Sequence, residues 1–510
     1  MKGYFCLIVL VAVACTSVSQ TNFNKAWIFG GYGIKIRFDN TPPDTYAYIK
    51  NGVYLSGGNS SICDSNGRVI LVSDGMNIYD STLNFIEKGD TLNSLDFYIH
   101  DNGINTYSQS SIFLSFENNI YYLITLDASD SMFNWWYAPD PNKNAGPFDR
   151  LLYHKIDMNV NGGAGKVIER QKIMIGQDSL LKSMMTACKH ANGKDWWLVK
   201  QMYEYGGYQV SKNKIATFLI TNDSIHSPVI SYFPAPLFSS YDQNGQAMFS
   251  QDGTKYAATC RGTGKIFLAD FDRCTGVFTN PKSYNVPEYN RHNPVDTTLM
   301  DPQTQGLTFS PNGDFLYVMK YWNILQLNLN DNDSNTAWYQ VAGLDTTWQE
   351  FQIYNTSYLG YDNKLYIGYF AGFSKEMSVI SNPDSKGINC NFCPKCLIFP
   401  SGWGWVTTPP NMPNYDLGAE PCWPLANENI MKNDEELEVY PNPASTTISI
   451  RSEQLRGKKV LVSMYNIVGQ EVLSNECYFL SAQSTFNIKS LQSGVYLLKV
   501  GEWVRKVVVE

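Results

Sequence analysis

The sequence predicts an all-β protein, a six- or seven-bladed β-propeller followed by a small antiparallel β-sandwich. Three observations predict this class. Aromatic residues make up 14% of the 510 residues and charged residues only 17%, a balance that favours strands over charged surface helices. A unit made of a polar turn and an apolar strand recurs through the centre of the chain. The last ~75 residues hold several short strands, as a small sandwich does.

Residues 1–19 have the pattern of a secretion signal. Lys2 supplies a positive charge, residues 5–14 form an apolar run too short to span a bilayer, and small residues precede the expected cleavage before Gln20. Cleavage as a lipoprotein at Cys15 is the alternative. Because no later run reaches ~18 apolar residues, the sequence predicts export without a membrane span.

The central repeat predicts the propeller, which we place at residues 20–382. Each unit has a tight turn that draws on Asp, Asn and Gly and is followed by an apolar strand. Where Asp-Gly or Asn-Gly pairs occur, they supply positive φ angles. The units begin at Cys63, Phe116, His190, Phe249, Phe309 and Tyr361. A period of about 50–60 residues is typical of propeller blades, and an array of β-sandwiches explains it less well.

Two further segments follow the repeats. Residues 383–433 are rich in Cys and Pro and end in the charged stretch "KNDEELE", so they predict a connector and linker. Residues 434–510 contain short strand candidates separated by turns. Pro441 and Pro443 mark a strand edge there, because proline donates no hydrogen bond to a strand ladder.

Residues 434–510 resemble the type A C-terminal sorting domain of the type IX secretion system. The matching positions, in four ordered motifs, include Tyr440, Pro441, Asn442, Pro443, Gly469, Gly494, Val495 and Tyr496, and a basic-then-apolar tail follows. Glu510 departs from the pattern, in which a basic residue is usual. The resemblance implies passage through the periplasm and across the outer membrane by the type IX machinery. It also implies removal of the domain and release of the protein, or its attachment to surface lipopolysaccharide.

The propeller region resembles an uncharacterised family of secreted propellers that carry such domains. The similarity runs from about residue 27 to 420, from the opening Trp27-Ile28-Phe29-Gly30 to the tail Pro410-Asn411-Met412-Pro413-Asn414-Tyr415-Asp416-Leu417-Gly418. The activity of that family is largely unassigned. The resemblance therefore implies an architecture and a cell-surface setting, and it assigns no reaction.

The cysteines predict disulfides. A Cys-x-x-Cys-x-x-Cys run with one cysteine downstream has spacing that suits zinc, but disulfides are stable in an exported protein and we favour them. A redox-active Cys-x-x-Cys is less consistent, because no thioredoxin-like pattern surrounds it. A further pair flanks one predicted strand pair and could bridge it. The candidates are Cys390, Cys393, Cys396 and Cys422 for the run, and Cys260 and Cys274 for the blade.

Charge and local motifs exclude several classes of function. The net charge of −8 argues against nucleic acid and anionic lipid as partners. The acidic stretch from Asp331 lacks the Gly and Glu of an EF-hand, so we predict no cofactor and no metal site, with calcium in a turn or the channel left open. The sequence has neither the G-x-S-x-G motif of serine hydrolases nor the H-E-x-x-H motif of zinc proteases, so it identifies no catalytic residues.

Two sets of tryptophans could contact a ligand. We predict that Trp135-Trp136 and Trp196-Trp197 each lie on a strand, where packing in the core is the better explanation for them. Trp403 and Trp405 lie in a Gly- and Pro-rich segment and are the preferred aromatic candidates for a binding surface.

The sequence thus leads to a secreted or cell-surface propeller that binds a glycan, a peptide or another surface protein through its loops. The alternatives are a hydrolase, lyase or lactonase-like enzyme with its site at the central channel, and a structural role in a surface layer. Acidic and histidine side chains converging on the channel would favour the enzyme. A filled channel with aromatic loops outside would favour the binding protein.

Overall fold

The computed structural model describes residues 21–31, 33–47, 50, 52–103, 105–138, 148–206, 209–233, 245–260, 264–287, 304–331, 333, 336–343, 353–369, 374–400, 408–422, 437–466, 471–501 and 503–510. The predicted signal peptide, Trp403, Trp405 and Gly469 lie outside these residues. The chain divides into two compact units, residues 1–418 and 419–510.

The first unit is the propeller. Its described residues form seven antiparallel sheets, numbered here as blades 1 to 7 in chain order, which settles the predicted count at seven. Their strands are β1 Ala26–Gly31, β2 Ile34–Arg37, β3 Asp44–Ala47 and β4 Tyr54–Leu55 (blade 1); β5 Ser60–Cys63, β6 Val69–Ser73 and β7 Ile78–Tyr79 (blade 2); β8 Ser111–Ser115, β9 Ile120–Asp127, β10 Arg150–Asp157 and β11 Lys166–Ile175 (blade 3); β12 Leu180–Lys189, β13 Trp196–Gly206, β14 Gln209–Ile220 and β15 Val229–Phe233 (blade 4); β16 Ala247–Phe249, β17 Lys255–Cys260, β18 Lys265–Asp272 and β19 Val277–Asn285 (blade 5); β20 Gly306–Phe309, β21 Phe315–Lys320, β22 Asn323–Asn328 and β23 Trp338–Ala342 (blade 6); β24 Tyr354–Leu359, β25 Leu365–Tyr369, β26 Glu376–Ile380 and β27 Phe392–Ile398 (blade 7).

The blades form a closed ring around a central channel. The first strand of each blade lies beside the first strand of the next, from β1 and β5 through to β20 and β24. Blade 7 then meets blade 1 through aromatic contacts, with the ring of Tyr366 5.6 Å from Trp27 and 5.4 Å from Phe38. Burial of these large rings supplies the hydrophobic free energy that closes the ring.

Antiparallel connectivity gives the propeller two different faces. Connections from first to second and from third to fourth strands lie on one face, called the turn face, and the remaining connections lie on the opposite loop face. The predicted Asp-Gly and Asn-Gly turns fall on the turn face. Gly253 is typical, with φ of +73°, and a Cβ there would lie 2.7 Å from the Cys188 sulfur, so glycine is required.

Two α-helices lie on the loop face beside blade 3. Helix α1 spans Leu95–His100, before β8, and helix α2 spans Asp130–Tyr137, between β9 and β10. The described 3₁₀ turns span Glu117–Asn119, Asn161–Gly163, Gly387–Cys390 and Glu453–Leu455. No helix among the described residues is long and apolar enough to cross a membrane.

The propeller extends past residue 382, where the sequence placed its end. Strand β27 pairs with β26 and completes blade 7. The sequence did not predict β27 as a strand because of its Cys and Pro content, since proline in a strand is tolerated only at an edge or a bulge. Pro394 occupies such a place, in an outermost strand at a register shift.

The second unit is the predicted small β-sandwich. One sheet has the order β28-β29-β32 and the other β31-β30-β33-β34. The strands are β28 Glu438–Tyr440, β29 Thr447–Arg451, β30 Lys459–Tyr465, β31 Glu471–Tyr478, β32 Gln483–Asn487, β33 Gly494–Val500 and β34 Trp503–Val509. Its core includes Ile448, Ile450, Val462, Leu498 and Val507, which alternate along their strands and pack together.

Candidate functional site

The chain itself fills the central channel. Residues 408–418, called the strap, run from the loop face to the turn face through the middle of the ring. The buried Asn411 donates its side-chain amide to the carbonyls of Ser111, at 2.8 Å, and Met185, at 3.1 Å. Its backbone N–H donates to the Asn59 carbonyl at 3.0 Å. One residue thus joins blades 2, 3 and 4.

The carbonyl oxygen of the same side chain is also used. The Asn411 Oδ1 accepts hydrogen bonds from Tyr358 of blade 7, at 3.1 Å, and from the Gln109 amide, at 3.3 Å. Gln109 in turn binds both backbone groups of Ala247 in blade 5, at 2.8 and 2.9 Å. A buried amide with this many partners is costly to replace. The strap therefore links five of the seven blades around the axis.

Toward the turn face, the strap is held by its last residues. The Tyr415 hydroxyl donates to the Phe113 carbonyl at 2.9 Å, and its ring lies 5.7 Å from that of Trp196. The Asn414 amide donates to the Gln251 carbonyl at 2.7 Å, and Arg273 donates to the Gly418 carbonyl at 2.6 Å. The segment that resembled a family tail in sequence is therefore the filling of the channel.

A small cavity remains beside the strap at the turn face. Its volume is about 60 Å³, and Asn24, Gln251, Asn363, Asn414 and Asp416 contribute its polar lining. Burial raises the pKa of the Asp416 carboxyl, which accepts a hydrogen bond from the backbone of Thr21. Because a small-molecule pocket usually measures about 300–1,000 Å³, this cavity suits water rather than a sugar or a lactone.

The titratable groups inside the propeller make hydrogen bonds that stabilise the fold. In the buried His154, Nδ1 accepts from the Gln171 N–H and Nε2 bonds the Thr125 hydroxyl, both at 3.1 Å, and burial lowers its pKa to about 3. His190 accepts from the Asn192 N–H at 3.0 Å and donates to a backbone carbonyl at 3.2 Å. His190 is thus fixed in its turn. In both His154 and His190 the two ring nitrogens are already hydrogen-bonded, so neither residue has a nitrogen left for catalysis.

Two further buried charged groups have the same character. The Lys200 amine donates to the carbonyls of Leu181 and Ser183, at 2.6 and 2.5 Å, and burial lowers its pKa to about 7. The Asp74 carboxylate accepts from Tyr79, at 2.6 Å, and from two backbone N–H groups, while burial raises its pKa to about 6. Across the part of the chain that the structure describes, no three His, Cys, Asp or Glu side chains come together to hold a metal.

The loop face presents an aromatic surface of a different kind. Helices α1 and α2, with Tyr107 and Lys182 beside them, form what we call the ledge. Ser129 caps α2 by accepting from the Met132 N–H at 3.2 Å, and Asn134 of α2 donates to Asp96 of α1 at 2.8 Å. Phe97 anchors the ledge from below, with its ring 5.3 Å from Phe148.

The ledge corrects the interpretation of one tryptophan pair. Trp135 and Trp136 lie on helix α2 rather than on a strand, and Trp135 is 48% exposed. Core packing is confirmed for the other pair, since Trp196 and Trp197 are 0% and 6% exposed. The two motifs look alike in sequence, and only the Ser129 cap distinguishes a helix start.

Polar groups border the aromatic part of the ledge. The Lys182 amine lies 4.9 Å from the centre of the Tyr107 ring and 6.0 Å from that of Trp136. Burial lowers the pKa of this amine, and the nearby Asp101 carboxylate opposes that shift. Together these groups offer ring faces for stacking and donors and acceptors for hydroxyl groups.

The structure corrects the predicted disulfide pairing. Cys274 and Cys422 are both disulfide-bonded, whereas Cys260 is a buried thiol. A bridge across blade 5 between Cys260 and Cys274 is therefore wrong. Cys390, Cys393 and Cys396 are present as thiols.

The sorting-motif residues hold the small sandwich together. The Asn442 side chain, between Pro441 and Pro443, donates to the Lys506 carbonyl at 2.7 Å and accepts from the Val508 N–H at 2.8 Å. Other motif positions lie at the ends of strands: Tyr440 ends β28, and Gly494 and Val495 begin β33. The Tyr496 hydroxyl donates to the Gln492 carbonyl at 2.8 Å.

Comparison with solved structures gives distant likenesses. They include a candidate 6-phosphogluconolactonase of Bacteroides fragilis, with 10% identity over 76% of this chain and 96% of that chain and a TM-score of 0.41. A periplasmic gluconolactonase of Pseudomonas aeruginosa has 9% identity over 76% and 98%, with a TM-score of 0.39. AztD of Citrobacter koseri has 12% identity over 76% and 86%, with a TM-score of 0.33. At these values none of the likenesses bears on activity.

Sequence comparison is informative for the second unit. No curated protein matches the chain significantly. The family model described as the secretion system C-terminal sorting domain matches residues 438–510, which include all seven strands of the sandwich. Residues 438–510 are thus a sorting domain of the type IX secretion system, and the chain is a cargo of that system, exported to the cell surface or the medium.

Proposed function

We propose that this cargo is a binding protein and that its propeller takes the ligand on the ledge rather than in the channel. The observation that carries the proposal is the contrast between the two places. The strap runs through the channel, and the cavity that the described residues line beside it measures about 60 Å³. The ledge, by contrast, presents the exposed Trp135 next to Trp136 and Lys182.

A carbohydrate is the ligand class that the ledge favours. Flat aromatic faces stack on the C–H faces of sugar rings, and the side chains at the edge can bond their hydroxyl groups. The rings of Trp135 and Trp136 lie 6.5 Å apart and are inclined by 50°, so they offer two facets rather than one flat plate. A peptide or another surface protein is the competing ligand class.

The test is binding of the purified exported protein to an array of glycans and surface proteins. We expect a glycan to be retained, and we expect Trp135→Ala to weaken that binding at least about tenfold. The matched control is Ile388→Ala, which removes an apolar side chain that is 82% exposed in blade 7. Equal weakening by both variants, or retention of proteins alone, would contradict the carbohydrate proposal.

A channel enzyme of hydrolase, lyase or lactonase type is the alternative. It would require the strap to leave the channel, because the cavity beside the strap holds little more than water. Hydrolytic turnover of a lactone or glycoside that survives Trp135→Ala would favour the enzyme over the binding protein.

We also propose that the sorting domain acts as a removable export tag, after which the propeller is either released or attached to surface lipopolysaccharide. Truncation before residue 434 should then retain the protein in the periplasm. Unchanged appearance of the truncated protein outside the cell would overturn this part of the proposal.

A further inference from the structure

Strand β27 brings two cysteines of an exported protein together at its bulge. Cys393 pairs with Val379 and Leu397 pairs with Met377, so residues 394–396 face Ser378 alone. Three residues opposite one form a pronounced bulge, which bends the strand back on itself. Cys393 stands just before the bulge, and Cys396 is its last residue.

The bulge is held by specific contacts. Lys395 has a φ of +51°, a left-handed conformation, and its N–H donates to the Ser378 hydroxyl at 3.1 Å. The same hydroxyl bonds Tyr369 at 2.6 Å, which fixes it from the interior. Within the bulge, the Cys396 thiol lies 3.4 Å from the Cys393 carbonyl. The backbone thus holds the two cysteines close before any bond forms between them.

We propose that Cys393 and Cys396 are joined by a disulfide in the exported protein. Both are reachable, since Cys396 is exposed and Cys393 half-buried. Cys390 is a poorer partner because it is completely buried in the core of blades 6 and 7, near Tyr317. The site is a modification site that is independent of the ligand proposed for the ledge.

The reaction is a thiol–disulfide exchange with a disulfide-bearing oxidant of the periplasm, R–S–S–R. One cysteine thiolate attacks a sulfur of the oxidant. This forms a mixed disulfide between the protein and one R–S group and releases the other as R–SH. The second cysteine then displaces the remaining R–SH and forms the Cys393–Cys396 bond. Two electrons and two protons pass from the protein to the oxidant, which leaves as two thiols.

The surroundings indicate a structural bond rather than a catalytic one. Burial and the adjacent Cys393 thiol raise the pKa of Cys396 to about 12. A disulfide between Cys393 and Cys396 would close the bulge covalently. It would fix the end of β27, where the Ile398 carbonyl accepts from Thr45 of blade 1 at 3.3 Å and the Phe399 ring lies 5.9 Å from Phe29. The bond therefore supports the closure of the ring.

The chain offers a direct test, because trypsin cleaves after Lys395, between the two cysteines. Protein from the culture medium is alkylated without reduction and digested. We expect the peptide of residues 387–395 to stay joined, through Cys393, to the peptide of residues 396–432, with Cys390 alkylated. Because that second peptide also contains Cys422, fragmentation should locate the bond at Cys396. Alkylation of both Cys393 and Cys396, or a bond through Cys390, would overturn the proposal.

Two controls complete the test. Cys396→Ser should separate the two peptides and leave Cys393 alkylated, while Cys274 and Cys422 stay disulfide-bonded. If that variant is not exported, Cys393→Ser should give the reciprocal result. Metal analysis of the same sample adds one more outcome. Stoichiometric zinc that protects both thiols until a chelator is added would also overturn the proposal.

Discussion

The channel and the ledge differ in what covers their side chains. In the channel, Asn411 is 2% exposed, and its side chain makes hydrogen bonds to three other blades and to Gln109. On the ledge, Trp135 is 48% exposed although it lies beside Trp136 on a capped helix. A propeller can use its centre or its rim to meet a ligand, and this one uses its centre for its own chain.

The difference shows how buried polar groups should be interpreted in this protein. Lys200, His154 and Asp74 have displaced pKa values, a feature that often marks active sites. Each of them is also supplied with hydrogen-bond partners from its own blade or the adjoining loop. Displacement of a pKa by burial therefore reflects packing here, and the exposed aromatic surface is the better guide to function.

The largest effect expected from the loss of a polar group is at the strap. Asn411→Leu keeps the volume but leaves the carbonyls of Ser111 and Met185 without their donor, at a cost of about 3–4 kcal/mol in the free energy of unfolding. Asn414→Ala, which removes a partly buried amide bonded to the Gln251 carbonyl, should cost only about 1 kcal/mol. Chemical denaturation measures both values. A cost below about 1 kcal/mol for Asn411→Leu would mean that the strap does not hold the ring.

Lys200 should make the propeller more stable as the pH rises. Its pKa is lowered to about 7 in the folded chain, so the unfolded chain binds more protons between pH 7 and the usual lysine pKa. The unfolding free energy should therefore rise by about 2 kcal/mol from pH 7 to 9. Denaturation at several pH values checks this rise. Lys200→Met should lack it, and an unchanged slope in that variant would exclude Lys200 as its source.

Asp74 should act in the opposite direction at lower pH. Burial raises its pKa to about 6 in the folded chain, so the folded chain binds more protons between pH 4 and 6. Its contribution is therefore present below pH 4 and lost as the pH rises through 6, a fall of about 2 kcal/mol. Asp74→Asn should remove this fall, whatever its effect on absolute stability. The readout is the difference between the two pH profiles of unfolding free energy.

The smallest effect on stability is expected on the ledge. Trp135→Ala should change the unfolding free energy by less than about 1 kcal/mol, because the ring is half exposed. Trp196→Ala should cost about 3–5 kcal/mol, because that ring is completely buried and its Nε1–H donates to the Ser115 carbonyl at 2.9 Å. Thermal or chemical unfolding of the two variants gives the comparison directly. Similar costs would mean that the ledge is packed as firmly as the core.

Local signals in the sequence were sufficient to predict the repeat and the sorting domain. Turns such as the one at Gly253 depend on a few adjacent residues, and so does the strand edge at Pro441 and Pro443. The same logic placed the end of the propeller too early, because Pro394 in β27 resembles a linker residue when its sheet partner is unknown.

The candidate site was less accessible to sequence reasoning. The segment of Asn411 was recognisable as a motif, but nothing in its composition indicates that it passes through a channel. Trp135 and Trp196 both belong to Trp-Trp pairs, and their opposite burial depends on which blade each joins. Trp403 and Trp405, the preferred aromatic candidates, lie outside the described residues and stay predictions.

Hydrogen exchange of the exported protein, with and without the glycan that it retains, tests the central claim most directly. We expect slower exchange on binding in the helices Leu95–His100 and Asp130–Tyr137, and no change in residues 408–418. Slower exchange confined to residues 408–418 and the turn face, with the two helices unaffected, would contradict it and return the ligand to the channel.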